Sequence, residues 1–235
     1  MGQDLPVVIL CGGKGTRLRE QTEHLPKPLV EIGGMPILWH VMKIYAAQGF
    51  CRFILALGYL GHRIREYFLG HGEGWEIRFV DTGLETPTGG RLWRLRPYLK
   101  GRFLATYADG LADIDLHALL RFHEARGGVA TLTVVHPLSP FGLVDLEEDG
   151  RITRFREKPR MEEWVNGGFF VFEPGLFDYL EPESTLEREP FERMAQEGRI
   201  YAYRHEGFWA CMDTFKDVEH LNALWEQGKA PWKRW

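Results

Sequence analysis

Short apolar runs alternate with stretches whose apolar residues recur at helical spacing, and this alternation sets the expected fold. Val7–Leu10 is an unbroken apolar run followed, after Cys11, by glycines, the pattern of a strand buried on both faces. Just after Pro36, residues Ile37, Leu38, Val41, Ile44 and Tyr45 repeat at the period of a helix. The series continues with a strand over 52–57 that ends at Gly58, a short helix over 64–68 and a strand over 77–80. A strand over 102–107 then stops at Asp109-Gly110, a helix covers Leu116–Leu120 and Phe122, and another strand spans 131–135. Strands alternating with helices predict an α/β domain around a mostly parallel, doubly wound sheet. Beyond Pro137 the spacing changes. Strand candidates at 142–146, 152–156 and 169–172 crowd together and predict a mixed or antiparallel region laid onto the first half. There is no low-complexity linker and no repeat of 20–50 residues, so one unit with two lobes is expected, 1–136 and 137–235 with a C-terminal helix.

In such a sheet ligands lie beyond the carboxyl ends of the strands, and that is where the charged motifs fall. After the first strand comes Leu-Cys-Gly-Gly-Lys-Gly-Thr-Arg-Leu, Leu10 to Leu18. Gly12, Gly13 and Gly15 let backbone amides approach a ligand, Thr16 offers a hydroxyl, and Lys14 and Arg17 add positive charge. The loop is neither a Walker loop, since Lys14 is followed by Gly15, nor a dinucleotide fingerprint, since position 18 is Leu. A bare pair of glycines serves equally in a strand-to-helix turn. The two cations and the nearby Lys27-Pro28 element favour an anion site, and a triphosphate suits it. Asp109 follows a later strand, and Asp213 follows the short apolar run Phe208-Trp209-Ala210-Cys211-Met212. Two isolated carboxylates at strand ends beside a phosphate cradle suit Mg²⁺, which takes few protein oxygens and fills its shell with phosphate and water.

Composition narrows the function. The chain has 235 residues, 44% hydrophobic and 26% charged, as expected of a globular protein with a substantial core. A formal charge of −4 disfavours general nucleic-acid binding, so the local cations read as a focused anion site. No apolar run reaches the ~20 residues of a membrane span, and no signal-peptide layout opens the chain, so a cytoplasmic location is expected. Cys11, Cys51 and Cys211 are far apart and odd in number, and read as small core residues in a reducing compartment. Trp225, Trp232 and Trp235 read as core or interface anchors. The chain has only two serines, Ser139 and Ser184, which makes a Ser/His/Asp hydrolase a poor reading.

The glycine loop, then Pro26-Lys27-Pro28-Leu29-Val30, Thr106–Gly110, Glu157-Lys158-Pro159, Val165–Phe170 and Phe208–Thr214, in this order, resemble the sugar-phosphate nucleotidylyltransferases. The stretches 33–50, 80–92 and 207–235 resemble the cytidylyltransferase branch that acts on glucose 1-phosphate, and the likeness covers nearly the whole chain. The resemblance implies a glycosyltransferase-A-like, Rossmann-like sheet with a smaller mixed β lobe for the sugar. It implies condensation of CTP with glucose 1-phosphate to CDP-glucose and pyrophosphate, with Mg²⁺, in a homo-oligomer. Siblings that use another nucleotide or sugar 1-phosphate, or a non-catalytic binding protein on the same fold, are the alternatives.

Residue by residue, the resemblance implies that Leu10, Gly12, Gly13, Lys14, Gly15, Thr16 and Arg17 hold the nucleotide, with Lys27 on its phosphates. Thr86 and Arg91 would meet cytosine and ribose, beside Ala108. Arg17, Lys27 and Asp109 would be catalytic, and Asp109 and Asp213 would hold the metal. Glu157 would accept from sugar hydroxyls, Lys158 would bind the sugar phosphate, and Asn166 and Gly167 would line the sugar pocket. Two departures stand out: a shorter span between Phe68 and Asp81, and Ala108 where the family favours Gly before the metal aspartate.

Overall fold

The computed structural model describes residues 4–18, 24–71 and 73–235, with Arg17 described by its backbone alone. β1 (Val7–Cys11) is buried at every position. Val7, Ile9 and Cys11 enter one hydrophobic core and Val8 and Leu10 a second, so the strand lies between two covered faces as its unbroken apolar run predicts. A small hairpin, β2 (Glu31–Ile32) and β3 (Met35–Pro36), leads into helix α1 (Ile37–Ala46), where Pro36 stands just ahead of the first turn. β4 (Arg52–Leu57), α2 (Gly61–Gly70), β5 (Glu76–Asp81), α3 (Thr88–Leu95) and β6 (Phe103–Tyr107) follow. β1 pairs parallel with β4 on one side and β6 on the other, and β4 pairs parallel with β5.

After β6 come the short β7 (Gly110–Ala112), α4 (Leu116–Arg126) and β8 (Ala130–Val135). The hairpin β9 (Leu143–Leu146) and β10 (Ile152–Arg156) precedes β11 (Val165–Asn166) and β12 (Phe170–Phe172). α5 (Glu189–Gln196), β13 (Ile200–Arg204), β14 (Trp209–Cys211) and α6 (Phe215–Glu226) close the fold. The main sheet runs β11-β8-β12-β6-β1-β4-β5, with β13 also on β8. β12 is antiparallel to both β6 and β8, which makes the second half mixed, as its crowded strands predict.

The sequence pattern does not signal α3 and β13. α3 carries two adjacent glycines, Gly89 and Gly90, which weaken a helical pattern. Both are required by packing: a Cβ at Gly90 would lie 2.0 Å from the Pro182 carbonyl oxygen, and one at Gly89 2.7 Å from that of Ser184. The tryptophans behave as anchors. Trp232 is buried and its Nε1 donates to His40 Nδ1 at 3.4 Å, while His40 Nε2 donates to the Ile32 carbonyl at 2.8 Å. Burial, opposed by the backbone hydrogen bond to Ile32, pulls the His40 pKa down to about 4, so the ring is a neutral strut of the core.

Candidate active site

A cleft of about 690 Å³ opens beyond the carboxyl ends of β1 and β6. Its floor is the glycine loop. Gly12 accepts from the Tyr59 amide at 3.2 Å, and Leu18 N donates to the Gly15 carbonyl at 2.9 Å. The three glycines have separate reasons to be there. Gly15 has φ 61°, the left-handed region. Gly13 is open, with nothing within 4 Å of a Cβ placed on it. Gly12 is closed from beneath: a Cβ there would lie 2.0 Å from Arg91 Nη1. The expectation that small residues clear a path for a ligand describes Gly13; Gly12 also makes room for a side chain of the protein itself.

Arg91, on α3, is that side chain. Its guanidinium donates to the carbonyls of Leu57 (3.1 Å), Gly83 (2.8 Å), Gly12 (3.0 Å) and Leu84 (3.2 Å) and to Thr82 Oγ1 (2.7 Å). It therefore fastens the loop after β1 to the loop after β5. Burial lowers its pKa, yet guanidinium remains charged, so a fixed positive charge lies under the glycine loop.

Lys27 opens a 3₁₀ turn, Lys27–Leu29, with Pro28 fixing its second position. Its Nζ donates to Asp109 Oδ2 at 2.5 Å and Asp213 Oδ1 at 2.7 Å. Burial alone would lower its pKa, but the Asp109 charge and the hydrogen bonds it donates to both carboxylates outweigh that and raise it, so the ammonium is retained. Asp109 and Asp213 meet because β7 and β14 form a two-stranded antiparallel ladder pairing Gly110 with Cys211, and Met212 N donates to the Asp109 carbonyl at 2.9 Å. Thr214 and Asp217 make a reciprocal capping box at the start of α6, and Asp217 Oδ2 also accepts from the Asp213 amide at 3.0 Å.

Asp109, Cys211 and Asp213 present ligand atoms all within 4.8 Å of one another. Burial, followed by the charges of the two aspartates, raises the Cys211 pKa, so it stands there as a neutral thiol. The charged donors are thus two carboxylates, a set that fits a hard divalent cation. Asn166 and Gly167 line the opposite wall, where β11 and β12 follow one another along the same strand β8 and are separated by a break. Gly168 (φ 77°) and Phe169 (φ 48°) make that break, and Trp209 Nε1 donates to the Gly167 carbonyl at 2.9 Å.

Leu10, Gly12, Gly13, Gly15, Thr16, Lys27, Thr86, Arg91, Ala108, Asp109, Asn166, Gly167 and Asp213 all line this one cleft. Lys14 turns aside to an ion pair with Glu85. The side chain of Arg17 lies outside the described residues. Glu157 and Lys158 sit at the foot of the β9–β10 hairpin and are not among the lining residues. Ala108 is 6% exposed, so its methyl group is largely packed into the wall.

Sequence reasoning passed over a hydrogen-bonded chain across the cleft. Thr88 Oγ1 donates to Glu187 at 2.6 Å, Tyr107 Oη donates to the other oxygen of Glu187 at 2.5 Å, and Asn166 Nδ2 donates to Tyr107 Oη at 3.0 Å. Tyr107 lay inside a recognised motif but reads there as a strand residue. Glu187 lies in a loop with no signal of its own.

The nucleotidyl transferase family matches this chain over residues 6–230. The chain belongs to that family. It is 44% identical to the glucose-1-phosphate cytidylyltransferase of Salmonella typhi, over 98% of this chain and all of that one. A Bacillus subtilis protein named "Probable glucose-1-phosphate cytidylyltransferase" is 43% identical over the same shares. Among solved structures, HddC from Yersinia pseudotuberculosis superposes with a TM-score of 0.76 at 22% identity, over 94% of this chain and 99% of that one, a likeness of fold. The chain is a nucleotidyltransferase acting on a sugar 1-phosphate, and its mixed, mostly parallel α/β sheet is the sheet of the family. Among the described residues no helix is long and apolar enough to cross a membrane.

Proposed function

We propose that this enzyme transfers the cytidylyl group of CTP to glucose 1-phosphate, releasing pyrophosphate, with Mg²⁺ held by Asp109 and Asp213. The observation that carries the reading is the meeting of both carboxylates with Lys27 at the end of the glycine-loop cleft, in a chain 43–44% identical to cytidylyltransferases over nearly its full length. A sugar-phosphate oxygen is already ionised at neutral pH, so attack on the α-phosphorus needs no general base. Positioning and charge neutralisation carry the rate. The glycine loop offers amides to the phosphates, with the Arg91 charge beneath it. The Lys27 ammonium has three protons, two engaged by carboxylates, and can turn the third to a phosphate oxygen. Bound at the two aspartates, Mg²⁺ would offset phosphate charge and polarise phosphorus.

Thr86 and Ala108 border the nucleotide, Asn166 and Gly167 border the sugar, Glu157 is assigned to the sugar hydroxyls and Lys158 to the sugar phosphate. Arg17 is assigned to the phosphates by resemblance. The test is a pyrophosphate-release screen of four nucleoside triphosphates against a panel of sugar 1-phosphates. CTP with glucose 1-phosphate is expected to give the highest kcat/KM. Another nucleotide better by about tenfold, ~1.4 kcal/mol of transition-state preference, would overturn the base assignment.

A further inference from the structure

Glu187 is exposed, on the loop that leads into α5, and is not among the residues lining the cleft. An exposed loop acid is ordinarily solvated, but both oxygens of this one are engaged by hydroxyls of residues that do line the cleft, Thr88 and Tyr107. The packing of α3 sets its place. Gly90 N donates to the Ser184 carbonyl at 2.9 Å, Leu186 N donates to Thr88 Oγ1 at 3.0 Å, and a Cβ on Gly89 or Gly90 would strike the backbone at 182–184.

The direction of each hydrogen bond follows from what the groups can do, since a backbone N–H only donates and a carboxylate only accepts. Thr88 Oγ1 accepts from Leu186 N and gives its own proton to Glu187. On the opposite wall, Gly168 N donates to Asn166 Oδ1 at 3.0 Å, which leaves the Asn166 amide nitrogen to face Tyr107 Oη. Tyr107 accepts there and gives its own proton to Glu187. Burial, and after it the Glu187 charge, push the Tyr107 pKa up, so the phenol keeps the proton it donates. One directed chain thus starts from each wall, and both end on the same carboxylate. Asn166 retains one amide proton without a partner among the described residues, on a side chain that lines the cleft.

The two walls depend on Glu187 unequally. Thr88 opens α3, which the contacts at Gly89, Gly90 and Arg91 hold in any case. Asn166 takes its orientation from Gly168 at one end and, through Tyr107, from Glu187 at the other. We propose that Glu187 is a positioning residue for the sugar: as an acceptor-only group it fixes the direction of the chain through Tyr107, and so presents Asn166 to a sugar oxygen as a hydrogen-bond donor. This role rests on the assignment of Asn166 to the sugar pocket.

The experiment is steady-state kinetics in both substrates, with calorimetric titration of CTP, on Glu187→Gln, Glu187→Met and Tyr107→Phe. Gln keeps one acceptor for two hydroxyls, and Met keeps none. Glu187→Gln is expected to raise the glucose 1-phosphate KM about fivefold, ~1 kcal/mol, and Glu187→Met at least as much. The kcat, the CTP dissociation constant and the thermal midpoint should stay close to wild type. Tyr107→Phe breaks the same chain, so adding Glu187→Met to it should raise the sugar KM by less than about twofold more. An unchanged sugar KM in both Glu187 variants overturns the proposal. So does a loss shared equally by sugar, CTP and midpoint, the mark of a merely structural loop, or a double variant whose losses multiply. Should another nucleotide or sugar 1-phosphate prove the better substrate, the same split is read with that pair, which keeps an error of substrate assignment apart from an error about Glu187.

Discussion

The loop after β1 sets Lys14 between two glycines and the turn after β10 sets Lys158 before Pro159, and the two rest on opposite kinds of support. The first grows from a strand with no exposed residue, is tied from beneath by Arg91, and faces a lysine held by two carboxylates. The second ends a hairpin whose strands, among the described residues, pair only with each other, and its Lys158 has φ 44°. On the proposed assignment, the nucleotide end is braced by the protein's own contacts, and the sugar end is carried on an element with little of its own packing. Preorganised charge belongs where the nucleotidyl group is transferred, since there the protein does no reorganising work at the moment of reaction. A less confined turn suits the part of the site that meets an incoming and departing sugar.

The largest effects are expected where the support is most rigid. Asp109→Asn and Asp213→Asn should each cut turnover by about 10³-fold, ~4 kcal/mol, with the fold intact by circular dichroism. Near-normal steady-state rates at saturating Mg²⁺ for either variant would remove that residue from the site. Lys158→Ala should weaken sugar 1-phosphate by about 2–4 kcal/mol and leave CTP affinity unchanged, as read by sugar KM and by calorimetric titration with CTP. Loss of CTP binding with sugar affinity retained would erase the contrast between the two ends.

A smaller effect separates glycines within the rigid end. Gly12→Ala should destabilise the protein by about 1–3 kcal/mol and raise the nucleotide KM, because the methyl group would displace the Arg91 guanidinium. Gly13→Ala, with nothing near its Cβ, should leave the thermal midpoint where it is. Equal midpoints for the two variants would show that Arg91 does not brace the loop. The smallest effect tests the link between the ends. Glu187→Gln should lower kcat/KM by about fivefold, ~1 kcal/mol, through looser placement of Tyr107. An unchanged kcat/KM for both substrates would make the Thr88–Glu187–Tyr107–Asn166 chain incidental.

The parts of the fold that were legible in sequence are those whose signal is local. β1, β4 and β6 announce themselves by apolar runs, and α1 by spacing after a proline, because burial on one or both faces dictates the pattern. α3 was not legible, since its Gly89 and Gly90 answer to the backbone at 182–184, far away in sequence. The same division runs through the site. Lys27, Asp109 and Asp213 lie in motifs and do meet. That Arg91 spends its donors on carbonyls of Gly12, Leu57, Gly83 and Leu84 follows only from the packing of α3. Glu187 is a loop acid with no pattern around it, so its bond to Tyr107 became visible only once the chain was folded.

The β7–β14 ladder has a consequence for how the protein is made. The glycine loop and Asp109 leave the ribosome early, but Asp213 belongs to a strand near the other end of the chain, and the carboxylate pair closes only when that strand zips onto β7. Such a distant contact comes late in folding, after its loop-closure entropy has been met. On the proposed assignment, a nascent chain halted before residue 209 carries the glycine loop without the second aspartate and is expected not to turn over nucleotide until synthesis has passed that point.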